Sequence, residues 1–136
     1  MPNHIHVLLY FNGAKQSLNT TTGNGKRFMA YGIADRLKKI REYKLLETEH
    51  SSATKDKSKG QKHELWEDSF DVKQCRTEKF ILQKLNYMHW NPCTQRWKLA
   101  DKPYNYPHSS ASFYELGKKH YQFLKDYRDL MHRLKD

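Results

Sequence analysis

The chain has 136 residues, 37% of them hydrophobic, and carries 25 Lys and Arg against 15 Asp and Glu, a formal net charge of +10. That length suits a single domain, 1–136, with a real core, and the positive excess points to a polyanionic partner, nucleic acid foremost. No apolar run approaches the ~20 residues that span a bilayer, and the polar, His-containing start is no signal peptide, so a cytoplasmic protein without membrane contact is expected. Cys75 and Cys93 lack C-x-x-C spacing, which argues against a zinc knuckle or a disulfide framework and leaves two reduced thiols.

In chain order, the first element lies in the stretch Met1 to Phe11, whose alternation reads as a buried strand. Ile5, Val7, Leu9 and Phe11 would point one way, and His4, His6, Leu8 and Tyr10 the other. Two imidazoles then converge on one face, as half of a metal site or as two histidines on one strand by coincidence. Asn12 to Gly25 is polar and rich in glycine and threonine, and reads as a surface loop. From Lys26 the spacing turns helical, with Phe28, Met29, Ile33, Leu37 and Ile40 on one side, and this amphipathic helix should end near Leu46. Its basic face reads as solvated. Thr48 to Lys62 contains no large apolar side chain and reads as a flexible insert. Leu65 to Val72 alternates imperfectly and suggests a second strand or extended segment.

Thr77 can cap a helix that begins at Glu78 and carries Phe80, Ile81, Leu85 and Met88 as its apolar stripe. Pro92 stops it, and Asn91 should sit at the last turn or just outside. Tyr87 and Asn91 are one helical repeat apart, so a phenol and a carboxamide share a face with Cβ atoms about 5–6 Å apart. A carboxamide oxygen is a hard ligand for a divalent cation and a phenolate is a nucleophile toward phosphorus. The alternative is that Tyr87 is a half-buried core residue with a wet hydroxyl and Asn91 a polar helix end. His89, two residues past Tyr87, should point away from it. A Pro- and Tyr-rich loop from Lys102 to His108 precedes two helical segments, Ser110 to Leu116 and Lys118 to Leu134, parted by Gly117.

Met1-Pro2-Asn3-His4-Ile5-His6 resembles the His-hydrophobic-His motif of the single-tyrosine HUH transposases, and Gln83 to Pro92 resembles their tyrosine helix. More narrowly, the chain is similar to the REP-associated tyrosine transposases of the insertion-sequence-200-like family, in which an asparagine and then a proline follow the nucleophilic tyrosine. Leu65 to Asp71 and Tyr106 to Ser110 resemble two further motifs of that family, in the same order.

The resemblance implies that His4, His6 and Asn91 hold Mg2+ or Mn2+ and that Tyr87 is the nucleophile. By ligand softness alone, imidazole suits manganese, zinc, cobalt or nickel better than magnesium. The implied activity is cleavage and rejoining of single-stranded or hairpin DNA through a 5′-phosphotyrosine, with a homodimer expected by analogy. Tyr31, Trp66, Trp90, Trp97, Tyr104 and Tyr106 could stack on bases, although most of them should belong to the core. Two departures stand out. Trp90 occupies a place where relatives often have asparagine, and nothing precedes the His strand where the family has a strand, a helix and a strand.

The implied fold is therefore an α+β, ferredoxin-like HUH fold incomplete at the N-terminus. A truncated copy should expose apolar surface and unpaired edges, and should be poorly active or prone to aggregate unless a partner supplies the missing strands. A noncatalytic nucleic-acid-binding relative is the competing reading. A barrel metallohydrolase using His-x-His would need roughly 250 residues.

Overall fold

The computed structural model describes residues 1, 3–11, 16–46, 65–66 and 70–132. Contacts divide the chain into two compact units, Met1–Phe11 with Lys73–Asp136, and Asn12–Val72. The insert expected at 48–62 lies outside the described residues.

In the second of these units the helix α1 runs Leu18–Lys39, well upstream of the expected start. Ser17 explains the difference, because its Oγ accepts from the Thr20 backbone N–H at 3.1 Å and so caps the first turn. The Thr-Thr-Thr-Gly-Asn-Gly stretch, read as loop from its composition, is thereby helical; each interior glycine costs only about 1 kcal/mol relative to alanine. Ala30 and Ala34 are the residues α1 buries. At its other end Arg41 takes a left-handed φ of 60°. The Arg41 and Glu42 backbone N–H groups then close on Lys38 and Leu37 carbonyls at 3.1 and 2.9 Å, the hydrogen-bond pattern of a Schellman cap.

In the first unit α2 runs Glu78–Trp90, with Thr77 Oγ1 accepting from the Phe80 N–H at 3.3 Å. The expected cap and the expected stop before Pro92 are both observed. The helix buries Ile81, Leu85 and His89, a stripe repeating every fourth residue. Ile81 and Leu85 form a cluster with Tyr127, against which Leu8, Cys75, Met88, Tyr114 and Met131 pack. Two short 3-10 turns follow, Asn91–Cys93 and Pro103–Asn105.

Next comes α3, Ala111–Leu116, ended by Gly117 in the left-handed region at φ 66°. The Gly117 and Lys118 N–H groups bond back to the Phe113 and Ser112 carbonyls at 3.1 Å each. The second helical segment is shorter than expected: only α4, Tyr127–His132, is helical among the described residues after Gly117. Asp126 starts it, its Oδ1 accepting from the Arg128 N–H at 2.9 Å in the manner of an N-cap.

The α+β ferredoxin-like fold, with its first strand, helix and strand missing, is not what the structure shows: the described residues are helical, with no strand and no sheet. The alternation that suggested strands within Met1–Phe11 and Leu65–Val72 is a property of an extended chain. A strand also needs a neighbour to take its N–H and C=O groups, and period alone does not supply one. The alternation itself survives at 3–11. His4 and His6 meet Asn91, and Leu8 packs on the Ile81 cluster. The intervening Ile5, Val7 and Leu9 are 50%, 61% and 51% exposed. The expectation of a buried strand is overturned here as well: with no sheet among the described residues to cover them, these side chains lie at the surface. Of Leu65–Val72, residues 67–69 lie outside the described set and the others form no strand.

Candidate functional site

Tyr87 and Asn91 lie on the side of α2 opposite the buried stripe, because helical geometry places positions 87 and 91 roughly 200–240° around the axis from Leu85. Tyr87 is 59% exposed. Asn91 is the C-cap, its N–H closing on the Tyr87 carbonyl, and it is half-buried. Segment 3–11 brings both imidazoles to this face. The Asn91 Nδ2 group donates to His4 Nε2 at 3.3 Å and to His6 Nε2 at 3.2 Å. The His4 and His6 ring centroids are 4.8 Å apart, and the Tyr87 ring stands edge-on to His6 at 5.5 Å. All four candidate residues named from the sequence are thus brought together from points more than 80 residues apart in the chain.

One hydrogen bond bears on the tautomer of His4. His4 Nδ1 donates to Asn3 Oδ1 at 2.8 Å, which leaves Nε2 with its lone pair toward Asn91. Burial pushes the His4 pKa below the usual imidazole value, helped by the N-terminal ammonium and by Arg96. Burial likewise lowers His6, with smaller contributions from His4 and the N-terminus. Both rings are therefore neutral near pH 7, the state in which an imidazole can ligate a metal. Among the described residues no group of three His, Cys, Asp or Glu side chains is placed to hold a metal ion. The donor set here is of a different kind: two imidazole nitrogens and one carboxamide.

That set fits a divalent ion on chemical grounds. The two ends of a carboxamide are almost the same shape, so a half-turn of the Asn91 amide presents its oxygen to the point where its nitrogen now meets both rings. One hard oxygen with two borderline nitrogens suits Mn2+ and, less well, Mg2+.

Asn3 was not singled out by the sequence reading, because a carboxamide next to a histidine is no signal until a hydrogen bond is seen. Trp97 was named only among six aromatics. Its ring lies 5.6 Å from that of His4, and the Arg96 guanidinium lies over it at 5.0 Å. None of the six is fully buried, contrary to the expectation that most would be core. Tyr104 carries Lys102 over its ring and Tyr106 stands edge-on to His108. As expected, His89 points elsewhere: it is buried, its pKa is lowered by that burial, and its Nε2 lies 2.9 Å from Ser110 Oγ.

Comparison of the chain with protein-family models, curated proteins and solved structures gives no match. Among the described residues no helix is long and apolar enough to cross a membrane.

Proposed function

We propose that this chain is a DNA strand transferase of the single-tyrosine kind its motifs resemble, cleaving single-stranded or hairpin DNA through a 5′-phosphotyrosine. The observation that carries the reading is the meeting of His4, His6 and Asn91 beside an exposed Tyr87. A phenol that serves only the core has no need of solvent access, and a nucleophile does. The net charge of +10 supports a polyanionic substrate.

His4, His6 and Asn91 would hold Mg2+ or Mn2+. When bound, such an ion supplies positive charge against the negative charge that builds on nonbridging phosphate oxygens. Tyr87 Oη forms a bond to phosphorus as the bond from phosphorus to the 3′ oxygen breaks. The phenolic proton is lost and the departing oxygen gains one, so a 3′-hydroxyl and a phosphotyrosine result. One phosphodiester replaces another, and the reverse attack by a 3′-hydroxyl rejoins the strand without a nucleotide cofactor. Asn3 keeps His4 in the tautomer that presents Nε2.

The test is a covalent adduct on a denaturing gel after incubation with labelled single-stranded or hairpin DNA and Mn2+. Wild type should form it, Tyr87→Phe should not, and the pair His4→Ala with His6→Ala should slow it by at least about 100-fold. An adduct that persists in Tyr87→Phe removes Tyr87 as nucleophile. No adduct from wild type leaves a nucleic-acid-binding protein without turnover.

A further inference from the structure

We propose that Arg96, laid over Trp97 beside the imidazole pair, binds a backbone phosphate of the DNA strand and anchors it at this site. The inference rests on the strand-transfer reading for its substrate, and on separate observations for its residue. The Arg96 guanidinium lies 5.0 Å from the Trp97 ring centroid, and that ring lies 5.6 Å from His4. A guanidinium drawn over an indole by cation–π attraction leaves its N–H donors available and has less freedom to lose when it takes a phosphate, so the contact is prepared in advance. Arg128 shows the alternative fate of an arginine: its guanidinium is committed to the Asp126 carboxylate at 2.6 Å. Among the described residues no such carboxylate pairs with Arg96.

The turn that carries the pair is built to hold it in place. Thr94 Oγ1 donates to the Asn91 carbonyl at 2.9 Å. The Trp97 and Lys98 N–H groups bond to the Thr94 carbonyl at 3.0 and 2.9 Å, and the Leu99 N–H bonds to the Pro92 carbonyl at 2.9 Å. Pro92 is fully buried beneath the turn. Closing it requires Lys98 in the left-handed region at φ 46°, a conformation unfavourable for a side chain other than glycine. Backbone strain of this kind persists where surrounding structure enforces it, and here the enforced turn returns Trp97 to the His4 ring, with Arg96 exposed next to it. A cation so placed adds its attraction to that of any ion at the imidazoles and draws the same anion.

The experiment is the salt dependence of binding to a labelled single-stranded oligonucleotide, measured by fluorescence anisotropy without added metal. For single strands each phosphate contact contributes about 0.7 to the slope of log K against log salt. Arg96→Ala should flatten the slope by that amount, and Arg96→Lys, which keeps the charge, should retain it. Lys119→Ala removes the same charge from an exposed loop and should leave the slope as in wild type. Circular dichroism of each variant separates a lost contact from a lost fold. Equal slopes for wild type and a folded Arg96→Ala overturn the proposal. A flattened slope in a protein whose wild type forms no Tyr87 adduct overturns strand transfer and leaves the phosphate contact standing.

Discussion

The helices α1 and α2 start alike and end in different roles. Each opens on a hydroxyl that caps its first turn, Ser17 and Thr77. Both look amphipathic in the sequence. Yet α2 buries Ile81, Leu85 and His89, whereas α1, the longer helix, buries Ala30 and Ala34 and leaves Phe28 and Tyr31 exposed. Large side chains locked in a cluster fix the rotation of a helix about its axis; two methyl groups do so weakly. The candidate site sits on the helix whose rotation is fixed, and Tyr87 and Asn91 are aimed by residues on the far side that touch neither. Precision at a surface is thus set by packing beneath it.

The contrast can be broken most sharply by Leu85→Ala, which should cost about 2–5 kcal/mol in urea unfolding followed by circular dichroism. Ile33→Ala on α1, at a site more than a third exposed, should cost under about 1 kcal/mol in the same measurement. Equal losses would show that α1 is held as firmly as α2. A smaller effect of opposite sign is expected where each helix is followed by a left-handed non-glycine. Lys98→Gly should stabilise the chain by up to about 1 kcal/mol, the relief of a left-handed side chain less the added freedom of glycine when unfolded. Arg41→Gly, in the cap of α1, should act in the same sense; if only one of the two stabilises, the strain is not shared.

The smallest effect is on acid stability. The Arg128 guanidinium and backbone N–H beside Asp126 hold its carboxyl below the usual carboxylate range. The folded chain therefore binds its proton less readily than the unfolded one. This contribution is complete above the ordinary carboxylate pKa and is lost as pH falls through the lowered value. Asp126→Asn should remove that part of the dependence in acid titrations of the helical signal, and an unchanged acid limb would show that the pair adds nothing. Its partner is well exposed, so screening keeps the effect small.

The site was more legible than the fold because the two rest on different information. Spacing within short segments paired His4 with His6 and Tyr87 with Asn91, because spacing on a helix or an extended chain fixes which side chains share a face; that the two pairs belong together was implied only by the motif resemblance. The cap at Thr77 and the stop before Pro92 follow from local chemistry in the same way. A sheet depends on which distant segment pairs with which, and alternation at 3–11 carries no record of a partner. The start of α1 was missed for the reverse reason: one capping hydroxyl at Ser17 outweighs a run of threonine and glycine whose composition says loop. The contact of Trp97 with His4 was out of reach because it is tertiary, visible only once the turn after Pro92 is seen to fold back, and the Asn3 and Arg96 neighbours carry no signal without it.

Asn91 is fastened three ways. Its N–H closes α2, its carbonyl receives the Thr94 hydroxyl and N–H, and its side chain spans the two imidazoles. For the history of such a gene the consequence is one of spelling. Substitutions around this residue can be absorbed singly, but adding or deleting a codon between Tyr87 and Asn91 would swing the phenol about 100° away from the carboxamide. Length variation should therefore gather elsewhere in the chain, and the interval from 87 to 94 should keep a constant reading distance.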